Sequence, residues 1–483
     1  MGKYTLAVRR IGLSAVITPL VYLSNIILLP ILTRNLVIAD YGAFALILIT
    51  LGLLPTLAAL GLQSSIIRFG AAATNKRDIR ELFYSMGCIV LVVSLTLSGL
   101  FLLFAPQIAA SLFQNNLTTA LLLAPNVLIA CLSSFVLQYF VTFQQIKRYT
   151  WLSLFNAYLE TALVAYFVLS GYGLEGAVIA LLIEQLVVFS IMMYLIVAEI
   201  GLAIPKLTHV RQYLNYGLPL VPGSISSWIV NSSDRYLIAF FLGTAAVGYY
   251  SPGYTAGTTI AMVAAPLGTL LPAILSKHYD ENEIADVRTI MAYSLKYYIG
   301  IALPCVFALS VLSKPILLVL TTQQIATNGY LVTPFVAAGT ALIGACSVTI
   351  TVLALKKKTA IIGTIWMLSA ALNFGLNVVL IPYLGVVGAA LTTFLAFLLA
   401  FVLITIYSFR YFTFDVNGGF IVKSACGSSV IALFLLVWNP SGFFSIVLSI
   451  ALAAVLYFAI LFALRGFTIQ ETKLIYEVYK GSK

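Results

Sequence analysis

The sequence predicts an all-α polytopic membrane protein with about fourteen transmembrane helices. Of its 483 residues, 62% are hydrophobic and only 8% are charged, and the mean hydropathy is +1.07. Apolar runs of about 20 residues, the length that a helix needs to cross the hydrocarbon core of a bilayer, recur from one end of the chain to the other. A membrane β-barrel would instead show alternating segments of about 10 residues.

Polar breaks divide the apolar sequence into fourteen predicted spans. The first span follows Arg9 and Arg10, as in a signal peptide, but it is too long and lacks a small-residue cleavage site, so it is counted as a span. The predicted spans are residues 12–33, 43–67, 82–104, 120–142, 151–170, 175–198, 214–242, 248–275, 290–312, 332–355, 359–381, 385–407, 420–438 and 442–464.

The basic residues predict the orientation of these spans. With the N-terminus in the cytoplasm, 22 of the 26 lysines and arginines fall in inside segments, and only Arg34 and Lys314 fall in outside segments. Arg235 and Lys296 lie within spans. We therefore expect a multi-pass protein of the cell (cytoplasmic) membrane with both termini cytoplasmic. The net charge of +11 matches this topology and predicts no nucleic-acid partner.

The sequence contains an internal repeat. A shift of 206 residues places Leu36 on Leu242 and Gly42 on Gly248, and it also aligns the asparagines at 25 and 231. A Gly-x-x-Gly-Ala motif at residues 173–177 recurs at 385–389, a shift of 212. Parallel repeats of this kind occur in some secondary transporters, with the substrate site between the halves. We expect a six-helix lobe at residues 1–200 and a second six-helix lobe at 201–408. The last two predicted spans, the thirteenth and fourteenth, form a third part with a cytoplasmic tail at 409–483.

Several classes of chemistry have no signature in the sequence. The chain has no P-loop, no His-Glu-x-x-His and no Gly-x-Ser-x-Gly motif, and its loops are short. Its five cysteines fall in predicted spans, whereas both histidines fall in inside loops, so the two types cannot form one metal site. The sequence therefore predicts no enzyme activity, no catalytic residues, no cofactor and no metal site.

Charged residues within the seventh span are the strongest functional signal. Asn231, Asp234 and Arg235 are spaced three and four residues apart and share one helical face. A charge inside a span costs about 2.5–3.5 kcal/mol on insertion scales, so such residues usually face a bundle interior or a wet cavity. Two interpretations stay open: the pair bonds locally and fixes packing, or it contacts a ligand.

Other charged residues lie within spans or at their ends. Glu184 is near the middle of span six, and Glu160 lies in span five, so each is a candidate for ion coupling or for a packing interaction. Lys296 lies near the inner interface, where snorkelling is the alternative to a binding role. Arg34 and Arg68 end spans one and two, where interfacial anchoring is the alternative.

Three stretches of the sequence share motifs with a known family. They are Leu29-Pro-Ile-Leu-Thr-Arg34 with Tyr41-Gly42, Asp234-Arg-Tyr-Leu-Ile-Ala-Phe-Phe-Leu-Gly243 with Val247-Gly-Tyr249, and Asn373-Phe-Gly-Leu-Asn377 with Leu380-Ile-Pro-Tyr-Leu-Gly385 and Gly388-Ala-Ala390. In these stretches the chain resembles the polysaccharide-repeat (O-antigen and exopolysaccharide) flippases of the multidrug/oligosaccharidyl-lipid/polysaccharide exporter superfamily. The resemblance covers nearly the whole chain and agrees with fourteen spans. One departure is Val37, where the family usually has glycine.

The resemblance implies a flippase that moves a polyprenyl-diphosphate-linked oligosaccharide from the inner to the outer leaflet by alternating access between two lobes. Its implied partners are this lipid-linked oligosaccharide, membrane lipids, H⁺ or Na⁺ as a coupling ion, and the glycosyltransferases and polymerase of the same pathway. Basic groups should meet the anionic diphosphate, and they exceed the opposing carboxylates by one charge. The basic candidates are Arg34, Arg68, Arg235 and Lys296, opposed by Asp234, Glu160 and Glu184.

Two alternatives belong to other functional classes. A drug/cation antiporter of the same superfamily would fit if Glu160 and Glu184 bind cations. A membrane polysaccharide polymerase or ligase would need a large outside loop with catalytic side chains, and the sequence has no such loop.

Overall fold

The structure is a computed structural model that describes residues 2–71 and 75–466, with side chains described from residue 19 onward. The described residues contain α-helices and no strand. The helices of the first part of the chain are α1 (Gly2–Asn35), α2 (Ile38–Ala58), α3 (Leu62–Gly70), α4 (Lys76–Leu103), α5 (Ala105–Leu112), α6 (Leu117–Thr142), α7 (Ile146–Leu169), α8 (Gly173–Ile200) and α9 (Val210–Gly217).

A short 3₁₀ segment, Leu218–Leu220, leads into the second part of the chain. Its helices are α10 (Val221–Leu242), α11 (Thr244–Thr258), α12 (Ala261–Asp280), α13 (Ile284–Leu320), α14 (Gln323–Gly329), α15 (Val332–Leu355), α16 (Thr359–Tyr411), α17 (Gly418–Trp438) and α18 (Phe443–Ala463).

These helices confirm a multi-pass α-helical membrane protein. Among the described residues, ten helices are long and apolar enough to cross a bilayer, or eleven if the bent pair α11 and α12 forms one span. The 53-residue α16 covers two predicted spans, and α1 and α10 cover two more. The prediction of about fourteen spans is compatible with this arrangement. The tail at residues 467–483 lies outside the described residues.

Glycines with positive φ break the helices at several of the predicted turns. Gly243, with φ of 84°, separates α10 from α11, and Gly385, with φ of 62°, interrupts α16. Gly173, the repeat partner of Gly385, has φ of 59°. Only glycine adopts this region without strain. Val37 aligns with Gly243, but its φ of −60° and ψ of 144° are extended, so the turn there tolerates a side chain.

Two helix breaks lie inside spans that the sequence predicts as continuous. Gly61, with φ of 76°, separates α2 from α3 within the predicted span 43–67. The predicted span 248–275 is bent by 52° between α11 and α12. Both breaks lie beside a glycine and polar residues, Gly61 with Gln63 in the first case and Gly257 with Thr258 in the second, a signal that the span prediction did not use.

The chain packs into two compact units. The first comprises Met1–Pro252, Leu320–Ile325 and Trp366–Thr392, and the second comprises Gly253–Val319, Ala326–Ile365 and Thr393–Lys483. The first unit has two apolar cores, one around Phe44 and Val127 and the other around Phe135 and Met86. A core of the second unit lies around Met291. The lobe boundaries at residues 200 and 408 stay a prediction.

Within the first unit, repeat-related residues contact each other. Helices α2 and α11 begin at Ile38 and Thr244, which are 206 residues apart. A Cβ on Gly42 would lie 1.9 Å from the carbonyl oxygen of Thr244, and a Cβ on Gly248 would lie 2.4 Å from the carbonyl oxygen of Ile38. Each residue in one contact is replaced in the other contact by the residue 206 positions away in the other repeat. Such reciprocal contacts are typical of an interface with two-fold symmetry. This close helix crossing therefore supports the repeat that the sequence predicts.

Candidate functional site

Helix α10 carries the charged residues of the seventh predicted span. It begins with Pro222 in its first turn, where the missing N–H of proline costs no helical hydrogen bond. Asp234 is fully buried and Arg235 is 7% exposed, whereas Asn231 is half-buried. The helix therefore places an acid and a base, adjacent in sequence, inside the first unit.

Asp234 and Arg235 form a buried ion pair. The Nη1 atom of Arg235 lies 3.2 Å from Oδ1 of Asp234 and donates a second hydrogen bond, of 2.9 Å, to the carbonyl oxygen of Asn231. Oδ1 of Asp234 also accepts a hydrogen bond of 2.8 Å from the backbone N–H of Arg235. The local pairing that the sequence left open is thus present, and the guanidinium has a fixed direction.

Tyr250 completes this group from helix α11. Its hydroxyl donates a hydrogen bond to Oδ2 of Asp234, and Cζ of Arg235 lies 5.4 Å from the centroid of its ring. Tyr250 is fully buried. Sequence reasoning missed this residue, although a signal existed. Asp234 and Tyr250 lie nine residues before and seven residues after the turn at Gly243, so an antiparallel helix pair brings them to similar depth.

A second polar contact ties α10 to α2. The hydroxyls of Tyr236 and Thr50 lie 2.5 Å apart, and the ring of Tyr236 packs 5.9 Å from that of Trp228. Tyr236 follows Arg235 directly, so its attachment to α2 fixes the rotation of α10 at the charged pair. The group formed by Asn231, Asp234, Arg235 and Tyr250 is called the α10–α11 polar cluster below.

The two candidate coupling carboxylates lie on packed helices, α7 and α8. Glu184 is 2% exposed, and its Oε1 has no hydrogen-bond partner among the described residues. Glu160 is half-buried on the neighbouring helix α7. A buried carboxylate without a full set of partners is costly as an anion, so this site favours taking up a proton or a cation.

The remaining basic candidates belong to other helices, α1, α3 and α13. Arg34 is exposed in the last turn of α1, and Arg68 is exposed in the last turn of α3, with its Cζ 4.9 Å from the ring centroid of Tyr216. Lys296 belongs to the second unit, where it is 7% exposed and its Nζ lies 5.1 Å from the ring centroid of Phe420. Substrate contacts of these three residues stay a prediction.

The asparagines of the third resembling stretch form a buried hydrogen-bond chain. Nδ2 of Asn377 donates to Oδ1 of Asn373 at 3.1 Å, and the hydroxyl of Thr392 donates to Oδ1 of Asn377 at 2.5 Å. Gly385 interrupts α16 between Asn377 and Thr392, so these hydrogen bonds join the two parts of that helix. This geometry gives both asparagines a role in helix packing.

A multi-pass helical bundle with charged side chains buried inside its spans is typical of membrane transport proteins. Comparison with known proteins then gives the family. A family model described as "Polysaccharide biosynthesis protein" matches residues 7–278, more than half of the chain. The chain belongs to this polysaccharide biosynthesis protein family.

One curated relative is the "Probable low-salt glycan biosynthesis flippase Agl15" of Haloferax volcanii. It is 25% identical over 195 residues, which are 40% of this chain and 41% of the relative. The chain therefore spans about two fifths of the length of this relative.

Solved structures show the same fold over most of the chain. The lipid II flippase MurJ in its inward closed conformation matches with a TM-score of 0.77 and 15% identity, covering 92% of this chain and 97% of that one. An inward-facing multidrug resistance MATE family transporter of the MOP superfamily matches with a TM-score of 0.66 and 16% identity, covering 81% and 94%. At these identities the likeness establishes the fold, which is that of MurJ and the MATE transporters.

Proposed function

We propose that this protein is a flippase that moves a polyprenyl-diphosphate-linked oligosaccharide from the inner to the outer leaflet of the cell membrane, with both termini in the cytoplasm. The observation that carries the proposal is the buried ion pair of the α10–α11 polar cluster. The family match, the name of the Haloferax volcanii relative and the MurJ fold support the same function. The protein is then a transporter with no catalytic residues.

The α10–α11 polar cluster offers a chemical role for Arg235. A guanidinium presents its donors in a planar fork that fits two phosphate oxygens, and a site with little water strengthens such contacts. Asp234 and the carbonyl oxygen of Asn231 hold the guanidinium through Nη1, and Tyr250 holds Asp234. Arg235 is therefore oriented before the substrate arrives, and the diphosphate replaces part of its interaction with Asp234. This exchange keeps the guanidinium paired with a negative charge throughout.

Glu184 and Glu160 are proposed to couple transport to H⁺ or Na⁺. Their position on adjacent helices of the first unit lets one captured cation offset two carboxylates. Glycosyltransferases that build the substrate and a polymerase that consumes it on the outside are the proposed partners of the pathway.

Reconstitution of the purified full-length protein into liposomes tests the function. The probe is a fluorescent polyprenyl-diphosphate oligosaccharide, and its exposure on the opposite leaflet is measured by quenching or by an enzyme added outside. We expect protein-dependent exposure that speeds up when an H⁺ or Na⁺ gradient is imposed. Equal rates with and without protein would refute the proposal.

The antiporter alternative has one specific observation in its favour. The Glu160–Glu184 pair could hold a cation, and the fold is shared with MATE transporters. The same liposomes loaded with a fluorescent cationic drug distinguish the two functions. Gradient-driven drug movement without oligosaccharide movement would assign the protein to the antiporter class.

A further inference from the structure

A cavity of about 610 Å³ with charged residues in its lining lies in the second unit. One wall is the N-terminal part of α13, and the other wall is the segment 413–417 between α16 and α17. Cavities on the order of 300–1,000 Å³ accommodate small molecules or headgroups. No role in the transport cycle proposed above requires this cavity.

The α13 wall presents two cations to the cavity. Arg288 and Lys296 are eight residues apart, slightly more than two helical turns, so both line the same side. Lys296 is 7% exposed, whereas Arg288 is exposed at the mouth. An aromatic ring lies near each charge: Nζ of Lys296 is 5.1 Å from the centroid of Phe420, and Cζ of Arg288 is 5.3 Å from that of Phe412. A lysine that snorkels keeps its ammonium group in water, whereas Lys296 is buried on the cavity wall. Snorkelling therefore does not explain its position.

The opposite wall is held in place by its own contacts. Phe414 is buried in the core that includes Met291 and packs against the ring of Phe409 at 5.2 Å. The side chain of Asn417 accepts a hydrogen bond of 2.9 Å from the backbone N–H of Phe420 and so caps α17. A wall fixed in this way loses little conformational entropy when a ligand binds.

The polar groups of the cavity favour a phosphate. Arg288 and Lys296 outnumber the one acidic lining residue, the exposed Asp415, and Tyr293 adds a hydroxyl group to the lining. Arginine and lysine with hydroxyl donors are the groups that bind phosphate oxygens. The ligand therefore carries at least one phosphate and enters from the exposed mouth at Arg288.

The surroundings of the cavity favour a lipid as the carrier of that phosphate. Helix α17 begins directly after the cavity wall, and its outer face is apolar, with Val422 64% exposed. The count of basic residues predicts that this end of α13 faces the cytoplasm. Basic pockets between transmembrane helices on that side bind anionic lipid headgroups.

We propose that this cavity binds the phosphate headgroup of an inner-leaflet lipid, with Lys296 at its base, Arg288 at its mouth and the lipid tail along α17. Two sources share this chemistry. One is an anionic phospholipid of the membrane, and the other is the polyprenyl diphosphate of the substrate. The second source rests on the function proposed above. In the second case the cavity is a docking site that the substrate occupies before transport.

Binding measurements on the purified full-length protein in neutral detergent test this proposal. The probes are fluorescent phosphatidylglycerol and a fluorescent polyprenyl diphosphate, with fluorescent phosphatidylcholine as the neutral reference. The variants are Arg288→Ala, Lys296→Gln and Lys296→Arg. Lys356→Ala is the matched control, because Lys356 also stacks a cation on an aromatic ring, that of Tyr279, but does not line the cavity.

We expect Arg288→Ala and Lys296→Gln to weaken binding of at least one anionic probe about tenfold, since each removes a charged hydrogen-bond donor. Lys296→Arg and Lys356→Ala should bind as wild type does. Loss for phosphatidylglycerol alone identifies a phospholipid site, and loss for the polyprenyl diphosphate identifies a substrate docking site.

Unchanged affinity of Arg288→Ala for both anionic probes would overturn the proposal. Arg288 is exposed, so this variant keeps the test valid even if a change at the buried Lys296 impairs folding. Because binding is measured without transport, a wild-type protein that binds phosphatidylglycerol but moves no oligosaccharide would refute the flippase function and leave this site in place.

Discussion

At the scale of single residues, the α10–α11 polar cluster combines an ion pair with a tyrosine that restrains it. Removing one partner of a buried pair leaves the other charge uncompensated, which costs about 3–5 kcal/mol. In a binding site the same charge is satisfied by the ligand. The two interpretations of Arg235 therefore differ in what a substitution does to protein level and to transport.

Arg235→Ala should abolish surface polysaccharide in cells that depend on this protein. The protein level should stay near normal, because Asp234 keeps its hydrogen bonds from Tyr250 and from the backbone N–H of residue 235. Arg235→Lys should restore part of the polysaccharide, because lysine keeps the charge but loses the planar fork. Arg148→Ala is the matched control, since Arg148 pairs with Glu199 at 2.7 Å in an exposed position and such pairs contribute little. Wild-type polysaccharide from the Arg235→Ala variant would leave Arg235 with a structural role only.

Glu184→Gln tests the coupling role of the buried carboxylate. Glutamine keeps the shape but cannot gain or lose a proton, so gradient-driven transport should fall about tenfold or more while substrate binding stays near wild type. Glu175→Gln, on the same helix, is the control, because Glu175 accepts a hydrogen bond from Asn116 near the helix end and glutamine can still accept it. A drop in protein level with unchanged transport per molecule would favour a packing role.

The sequence identified Asn231, Asp234 and Arg235 as one group because their spacing is a local property of a helix. Tyr250 was missed, because its contact with Asp234 follows from the spacing about Gly243 only if α11 folds back against α10. The sequence also could not decide whether Asp234 pairs with Arg235, because adjacent residues on a helix point in different directions unless their rotamers bring them together.

At the scale of helices, glycines decide where the chain breaks and where helices approach. The repeat predicted equivalent roles for Gly173 and Gly385, and both have positive φ. A Cβ on Gly176 would lie 2.3 Å from that of Tyr172, and one on Gly388 would lie 3.0 Å from that of Leu384, which is again the equivalent pair. The break at Gly61 was not predicted, although the glycine and the following polar residues Gln63 and Ser64 are a local signal for a helix break.

Gly248→Ala should push α2 and α11 apart and destabilise the protein by about 1–3 kcal/mol, the usual cost of overpacking. Its added Cβ would meet the backbone carbonyl of Ile38, which cannot move aside as a side chain can. Thermal unfolding in detergent measures the effect. Gly99→Ala is the control, because a Cβ there meets no atom within 4 Å. Equal unfolding temperatures for the two variants would contradict the tight crossing.

At the scale of the whole molecule, the fold followed from composition and periodicity. Spans are long and apolar, and each must satisfy its backbone hydrogen bonds internally, so helices are strongly specified by local sequence. How the chain divides into two packed units depends on long-range contacts, which one sequence does not display.

The predicted topology is tested with single cysteines in intact cells. Ser111→Cys, exposed in α5, should react with a membrane-impermeant maleimide added outside, whereas Asn75→Cys should react only after the cells are opened. The prediction rests on the distribution of basic residues. Labelling of Asn75→Cys from outside would reverse the orientation of every span.

The crossing of Gly42 and Gly248 bears on the ancestry of the chain. If the two repeats arose by duplication, the ancestor was a half-length protein that worked as a pair of identical subunits. In that pair the same glycine faced its own copy next to the symmetry axis, so any substitution would have added bulk twice at one contact. Fusion of the two genes would have made the two positions independent, and both are glycine in this chain. On this premise, the crossing descends from a subunit interface that became internal to one chain.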